Sequence, residues 1–353
     1  IAAMTATAYV KGVQSQGVGA CLKHFAVNNQ ETYRNGIDVQ ISYSLLRGRY
    51  LRAFEQVVKA AHPWTIMSSY NKINGIYASE NTYLLTDVLR GEWGFDGFVM
   101  TDWWAEEDPI RMQQAGNDML MPGTQMQIDT LIAAVQDGRL DEAVLDRNLL
   151  RVLRIIRRTP AFLHPSELSP KNEDLSSMLS SHAALAREAA AKGMVLLKNT
   201  NTLPLTNSQL SFALFGKGAY DTYAGGTGSG RVTRAYTVSI AEGLINAGYT
   251  IDASLKSSYC EHIRISREAQ PRETAWYMPY ISELQFATTD IDRLAKANDM
   301  ALITLQRMAG EGGDRHLAEG DYYLTSVEKE LIKKVSKAFH KEGKKVILVL
   351  NIG

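Results

Sequence analysis

A short apolar run that ends in one carboxylate and one indole constrains this chain most strongly. Phe98, Val99 and Met100 lie between a glycine and a polar segment, the pattern of a parallel strand covered on both faces. Asp102 and Trp103 follow at the carboxyl end of that strand, which is the end that carries the chemistry in α/β architectures. The pair therefore predicts a carboxylate nucleophile beside a flat apolar platform that suits a pyranose ring.

The first half of the chain repeats this alternation of short apolar runs and helical patterns. The predicted strands are residues 19–26, 64–69, 98–101 and 118–121, and the predicted helices are residues 1–16, 43–61, 80–92 and 109–115. Such repetition predicts a parallel sheet, either an open doubly wound sheet or a (β/α)8 barrel. Polar residues follow three of the strands and would then share one face, as at a barrel mouth: Lys23 and His24, Tyr70 and Asn71, and Asp102 and Trp103.

The second half predicts a further α/β domain beyond a linker. Two amphipathic helices at residues 125–137 and 140–158 precede a segment rich in proline, serine and charge, which is the linker candidate. Beyond it the predicted strands are residues 194–198, 211–215, 300–305 and 345–351, and the predicted helices are residues 180–192, 237–247, 291–297 and 326–342.

Composition excludes several classes of partner. Lysine plus arginine equals aspartate plus glutamate, at 38 each, so the chain has no electrostatic footprint for nucleic acid or an anionic membrane. No apolar run approaches the roughly 18 residues of a membrane span. Cys21 and Cys260 show neither CxxC nor zinc-ligand spacing, and we expect both to be buried, inert thiols. We expect neither a metal nor an organic cofactor.

A series of spaced motifs then appears in a fixed order along the chain. They are Lys23-His24-Phe25 with residues 28–31, Ser68-Ser69-Tyr70-Asn71 with Asn74-Gly75, the stretch 85–103, residues 195–199 with 203–205, and the glycine-rich segments 225–230 and 310–315. In this order the motifs resemble glycoside hydrolase family 3, a group that contains many β-glucosidases and β-xylosidases. The resemblance covers nearly the whole chain, and the combination of motifs is far more specific than any one of them.

The resemblance implies a fold and a division into domains. Residues 1–158 would be the C-terminal part of a (β/α)8 TIM-like barrel that carries the nucleophile, and residues 159–179 a linker. Residues 180–353 would be an incomplete α/β sandwich domain that carries the acid/base. A complete family member would have several barrel strands before Ile1, including an aspartate and an arginine that hold the sugar. We therefore expect an internal piece of a larger polypeptide, whose partners are the missing N- and C-terminal segments.

The resemblance also implies a retaining mechanism with two carboxylates from different domains. Asp102 would attack the anomeric carbon, and Glu311 would protonate the departing oxygen and then activate water. The two residues are 311 − 102 = 209 positions apart, and a retaining pair needs carboxyl groups about 5 to 5.5 Å apart. Asp102 would stay ionised near Lys23 and Arg34, whereas Glu311 would hold a proton near neutrality.

Further residues would bind the substrate by the same resemblance. Lys23, His24 and Arg34 would hydrogen-bond the sugar hydroxyls of the first subsite. The pocket would also be lined by Met67, Tyr70, Trp103 and, from the second domain, Ser229. Residues 28–31 together with Arg34 favour exo action on the β-D-glucosyl group of β-glucosides or oligosaccharides. A β-xylosidase of the same family is the nearest alternative.

Each of these residues also has a purely structural interpretation. Asp102 could be a helix cap, Glu311 a solvated loop carboxylate or a partner of Arg315, and His24 a core histidine. Met67 could be core filler, and Ser229 could serve only its own turn.

A non-catalytic nucleotide-binding protein is the main alternative from another class. Gly216 and Gly218 follow an apolar strand, Asp252 ends a later one, and residues 225–230 could cradle a phosphate. Neither glycine cluster forms an uninterrupted nucleotide-binding motif. A carbohydrate-binding protein that has lost catalysis is a third possibility, disfavoured because both Asp102 and Glu311 are present.

Overall fold

The chain forms two compact units, of mixed α/β structure. The computed structural model describes residues 1–105, 107–165, 172–207 and 209–352. The first unit is Ile1–Lys192 and the second is Gly193–Gly353. Among the described residues, no helix is long and apolar enough to span a bilayer.

The first unit alternates short strands with helices. Its strands are β1 (Cys21–Phe25), β2 (Asp38–Val39), β3 (Thr65–Ser68), β4 (Lys72–Ile73), β5 (Ile76–Tyr77) and β6 (Phe98–Thr101). Its helices are α1 (Ala2–Gln14), α2 (Tyr43–Leu45), α3 (Arg52–Ala61), α4 (Pro109–Ala115), α5 (Gln125–Gln136), α6 (Glu142–Ile156), α7 (Pro160–Leu163) and α8 (Asn172–Gly193). Two segments are π-helical, Leu46–Tyr50 and Tyr83–Glu92.

A three-stranded parallel sheet in the order β1-β3-β6 forms the centre of this unit. All four residues of β3 are buried, as expected for the middle strand. The fully buried ring of Phe25 packs edge-on against Phe54 and Trp93, with centroids 5.1 and 5.8 Å away. The predicted parallel arrangement of these three strands is confirmed, and their carboxyl ends lie side by side.

The pairing of β1 with β3 is irregular where β1 carries its polar residues. Leu22 pairs with Ile66 and Phe25 pairs with Ser68, so three steps along β1 correspond to two along β3. The extra residue falls within Lys23-His24. Such bulges locally change the direction of side chains and occur often next to active sites.

The predicted strand at residues 118–121 is wrong. This segment makes only an isolated parallel bridge, between Met119 and Met100. The backbone N–H groups of Asp118 and Met119 both donate to Val99 O, while Asp118 Oδ2 accepts from Val99 N at 2.7 Å. The Asp118 side chain therefore accepts the hydrogen bond from Val99 N that a backbone carbonyl group would accept in a continuous strand ladder.

The Asp118 carboxylate is the centre of a buried ion cluster. Its side chain has no exposed surface, and it lies 2.5 Å from Arg90 and 2.9 Å from Arg151. Burial lowers the pKa of Arg90 to about 10. Burial also raises the pKa of Asp118, although the neighbouring Arg90 and Arg151 act to lower it. The cluster connects the π-helical segment Tyr83–Glu92 and helix α6 to Val99 of β6, which lies three positions before Asp102.

Asp118→Asn should destabilise the protein strongly, because it leaves two nearly buried guanidinium groups without their counter-charge. We expect the free energy of unfolding to fall by about 3–5 kcal/mol. Asp96→Asn is the control: Asp96 pairs with Arg158 at 3.1 Å, but both side chains are largely exposed, so the loss should be below about 1 kcal/mol. Equal losses in urea denaturation would contradict this role of the cluster.

The second unit is built on a four-stranded parallel sheet in the order β10-β9-β7-β8. The strands are β7 (Ser211–Phe215), β8 (Thr250–Ile251), β9 (Met300–Arg307) and β10 (Lys345–Ile352). The helices are α9 (Ile240–Asn246), α10 (Ala253–Glu268), α11 (Thr288–Ala297) and α12 (Ser326–Lys341). Capping boxes begin α9 at Ser239 and α12 at Thr325, which fixes both helix starts.

The region around the predicted linker differs from expectation. Helix α8 begins at Asn172, eight residues before the predicted start at Ser180. Residues 166–171 of the predicted linker lie outside the described residues. No strand forms at residues 194–198 within the described structure, and the side chains of Met194 and Leu197 are exposed. The apolar run predicted a strand, but it has no neighbouring strand to pair with in the sheet order of this unit.

The expectation of buried cysteines is also wrong. Both Cys21 and Cys260 are exposed. Cys21 begins β1, which is an edge strand of its sheet, and Cys260 lies on the outer face of α10.

Candidate active site

The two oxygens of the Asp102 carboxylate have different neighbours. The residue is 8% exposed, and its backbone N–H donates to Ser68 O at the end of β3. Asp102 Oδ1 accepts from Trp103 N at 2.8 Å. The buried Oδ2 lies 3.3 Å from His24 Nε2 but accepts no hydrogen bond from the described residues. One oxygen therefore orients the carboxylate through a backbone hydrogen bond, while the other faces the His24 ring.

A chain of contacts connects the polar residues beside Asp102. The buried Tyr70 hydroxyl donates to the carbonyl oxygen of Trp103. The Arg34 guanidinium lies 5.1 Å from the centroid of the Tyr70 ring, a cation–π contact. Arg34 NH1 in turn lies 3.1 Å from Glu31 Oε2. These contacts connect Arg34 and Tyr70 to the main chain of Trp103, the residue that follows Asp102.

The remaining predicted residues of this unit lie on or beside the same strand ends. Lys23 is exposed on β1, whereas Met67 is buried on β3, where it pairs with Met100 of β6. Trp103 is 49% exposed, and its ring lies 6.5 Å from that of Trp104. Two exposed indoles directly after a buried carboxylate offer apolar surface to a ligand ring.

In the second unit, two glycine-rich loops interlock around Glu311. Ser229 N donates to Glu311 Oε2 at 2.7 Å. The expected contact of Ser229 with the substrate stays a prediction. Thr227 Oγ1 donates to Glu311 O at 2.7 Å, and Glu311 N donates back to Thr227 O at 3.3 Å. Arg315 pairs with Asp321 Oδ1 at 2.8 Å.

Glycines permit this close approach of the two loops. A Cβ added at Gly228 would overlap Glu311 Cβ and lie 2.9 Å from its Cδ, and Gly228 also has a φ of +68°. A Cβ at Gly310 would overlap Thr227 N, and one at Gly226 would overlap Ala309 O. Gly226, Gly228 and Gly310 therefore allow the two loops to pack closely against each other.

Two of the contacting residues were not identified from sequence. Glu31 lies within a recognised motif and is three positions from Arg34, a spacing that could have indicated an ion pair. The contact of Thr227 with Glu311 joins residues 84 positions apart. A single sequence carries no signal for such a pair.

The residues that suggested a nucleotide site have structural roles in this fold. Asp252 caps α10, accepting from Leu255 N at 2.9 Å. Gly216 has a φ of +92°, and a Cβ there would overlap Thr304 O of the adjacent strand. Among the described residues, no group of three or more His, Cys, Asp or Glu side chains could hold a metal ion.

Profiles of known protein families match both halves of the chain. The profile of the glycosyl hydrolase family 3 N terminal domain matches residues 1–155, and that of the glycosyl hydrolase family 3 C-terminal domain matches residues 194–353. The chain belongs to glycosyl hydrolase family 3.

Individual relatives are similar over part of their length. The chain is 43% identical to the thermostable beta-glucosidase B of Acetivibrio thermocellus over 245 residues, which are 69% of this chain and 31% of that protein. It is 38% identical to an exo-alpha-(1->6)-L-arabinopyranosidase of Bifidobacterium longum over 261 residues, 71% of this chain and 33% of that protein. The chain thus spans about a third of the length of these curated relatives.

A solved structure covers nearly all of this chain. The structure of beta-glucosidase 3B from Thermotoga neapolitana in complex with glucose matches with a TM-score of 0.91 and 44% identity. The match covers 98% of this chain and 48% of that chain.

Gly228→Ala should release the Glu311 loop, because the new Cβ overlaps Glu311 and because side chains rarely adopt the backbone conformation of Gly228. We expect faster amide hydrogen exchange in peptides covering residues 308–315, measured by mass spectrometry. Gly230→Ala is the matched control, since an added Cβ there meets no atom within 4 Å. Unchanged exchange in the Gly228 variant would show that the loops do not interlock.

Proposed function

We propose that the protein containing this chain is a retaining, exo-acting β-glycosidase, of β-glucosidase type. It hydrolyses terminal non-reducing β-D-glucosyl residues through a covalent glycosyl-enzyme. The single observation that supports this most directly is the Asp102 carboxylate at the carboxyl end of β6, with Oδ1 oriented by Trp103 N and Oδ2 accepting no hydrogen bond from the described residues. Membership of the family and the names of its β-glucosidase relatives support the substrate class.

The finer architecture is part of this proposal. The first unit is the C-terminal part of a (β/α)8 barrel, supported by its three adjacent parallel strands and the helices between them. The second is an incomplete α/β sandwich, supported by its four-stranded parallel sheet. The proposed limits are 1–158 for the barrel part, 159–179 for the linker and 180–353 for the second domain. Helix α8 (Asn172–Gly193) crosses the limit between the linker and the second domain.

In the first step Asp102 forms a bond to the anomeric carbon while the glycosidic C–O bond breaks. The electron pair goes to the departing oxygen, which takes a proton from Glu311. In the second step Glu311 removes a proton from water, and the water oxygen attacks the anomeric carbon. The Asp102 ester then breaks, which restores both carboxyl groups and gives a product with its original β configuration.

The polar residues around Asp102 hold the sugar in this proposal. Lys23, His24 and Arg34 donate hydrogen bonds to its hydroxyl groups, and Trp103 and Tyr70 contact the ring. Met67 contributes apolar surface, and Ser229 is the remaining substrate-binding residue of the proposal. His24 is the best supported of the donors, because its Nε2 lies 3.3 Å from Asp102 Oδ2. A donor so near the nucleophile lies within reach of a hydroxyl beside the anomeric carbon.

The identity of the sugar is tested by a comparison of three aryl glycosides. We expect kcat/KM to be highest for the β-D-glucoside and lower for the β-D-xyloside and the α-L-arabinopyranoside. The third substrate is included because one relative is an arabinopyranosidase. A clear preference for the xyloside would establish the β-xylosidase alternative, and a preference for the arabinopyranoside would overturn the glucosyl assignment.

Removal of either carboxylate should abolish most of the activity on an alkyl β-glucoside. Glu311→Gln should lower kcat/KM by roughly 10²–10⁴-fold, the usual contribution of general acid–base catalysis. Asp102→Asn should lower it at least as far, because no covalent intermediate can form. The controls are Asp129→Asn and Glu319→Gln, exposed carboxylates on α5 and on the loop after β9. Full activity in either catalytic variant would refute the assigned mechanism.

A further inference from the structure

The main chain of Glu311 is held by a single residue of the opposite loop. The Thr227 hydroxyl donates to Glu311 O at 2.7 Å, and Glu311 N donates to Thr227 O at 3.3 Å. Both hydrogen-bonding groups of the Glu311 backbone are therefore occupied by Thr227. Because backbone orientation sets the direction of the Cα–Cβ bond, these two contacts limit where the carboxyl group can lie.

We propose that Thr227 is a positioning residue for the acid/base Glu311, an inference that rests on the proposed function. Its hydroxyl fixes the glutamate so that its proton is delivered to the departing oxygen. Thr227 itself transfers no proton, and it affects the reaction only through the position of Glu311.

The loop that carries Thr227 has anchors of its own and can therefore act as a support. Gly228 N donates to Ala275 O at 2.7 Å, and Arg231 NH2 lies 3.1 Å from Glu273 Oε1. These two contacts fix the part of the loop that directly follows Thr227 to the 273–275 segment. The glutamate loop is thus held against a loop that is already tied down.

The close packing leaves little freedom for Glu311 to find another position. A Cβ at Gly310 would overlap Thr227 N, so the residue before the glutamate lies directly against the threonine backbone. Without the Thr227 hydroxyl, the carbonyl group of Glu311 has lost this hydrogen bond, and the peptide group that contains it can rotate. Misplacement of a catalytic group by about 1 Å can cost 10²-fold in rate.

The test uses the full-length protein with three substitutions. Thr227→Val keeps the shape of the side chain but removes the hydroxyl, and Thr227→Ser restores the hydroxyl. Thr222→Val is the matched control, because Thr222 is also half-buried in this unit and donates to a backbone carbonyl, Gly218 O at 2.7 Å. Thermal unfolding of each variant shows whether it remains folded.

Each variant is assayed on an alkyl β-glucoside and on 2,4-dinitrophenyl β-glucoside. The alkoxide departs only with protonation, whereas dinitrophenolate departs without it, so only the first substrate needs the acid. For Thr227→Val we expect kcat/KM to fall roughly ten- to a hundredfold on the alkyl glucoside and less than about twofold on the dinitrophenyl glucoside. Thr227→Ser should regain most of the activity, and Thr222→Val should show no difference between the substrates.

An equal fall on both substrates in a folded Thr227→Val variant would overturn the proposal, since general damage to the site affects both alike. Unchanged kcat/KM on both would overturn it as well. Failure of the proposed function gives a different result: the unsubstituted protein would then hydrolyse neither glucoside.

Discussion

The geometry of the first unit depends on the buried carboxylate of Asp118. It accepts from the Val99 backbone and pairs with Arg90 and Arg151, so it joins two helical segments to β6. A buried charge is tolerated only when it is paired and hydrogen-bonded, and here both carboxylate oxygens are used. This anchoring fixes the strand whose next residue is Asp102. The strand and the Trp103 N–H then hold the Asp102 side chain in place, while Oδ2 accepts no hydrogen bond from the described residues.

The two proposed catalytic carboxylates are supported in different ways. Asp102 follows a buried strand and is 8% exposed. Glu311 lies in a glycine-rich loop, held by backbone groups of a second glycine-rich loop. A nucleophile must meet one carbon along one line, which suits a strand end. An acid/base group serves first a departing oxygen and then a water molecule, and a loop held by a few hydrogen bonds suits both tasks.

Local patterns predicted the secondary structure well where one segment determines its own conformation. Strand β6 and helix α4 have their predicted limits. The errors arise where a residue distant in sequence determines the conformation of a segment. Residues 118–121 do not form a strand, because the Asp118 side chain accepts the hydrogen bond from Val99 N. Met194 to Leu197 have a strand-like composition but no neighbouring strand to pair with in the described sheet. The motifs indicated Asp102 and Glu311, but only three-dimensional structure could associate Thr227 with the glutamate.

The most direct test of the central claim is to trap the glycosyl-enzyme. The full-length protein is incubated with an activated 2-deoxy-2-fluoro β-glucoside, which slows the breakdown of the intermediate more than its formation, and is then analysed by peptide mass spectrometry. We predict a fluoroglucosyl group on Asp102 and on no other residue. A label on a different carboxylate, or turnover of the parent glucoside with no trapped intermediate, would contradict the assignment of Asp102 as the nucleophile.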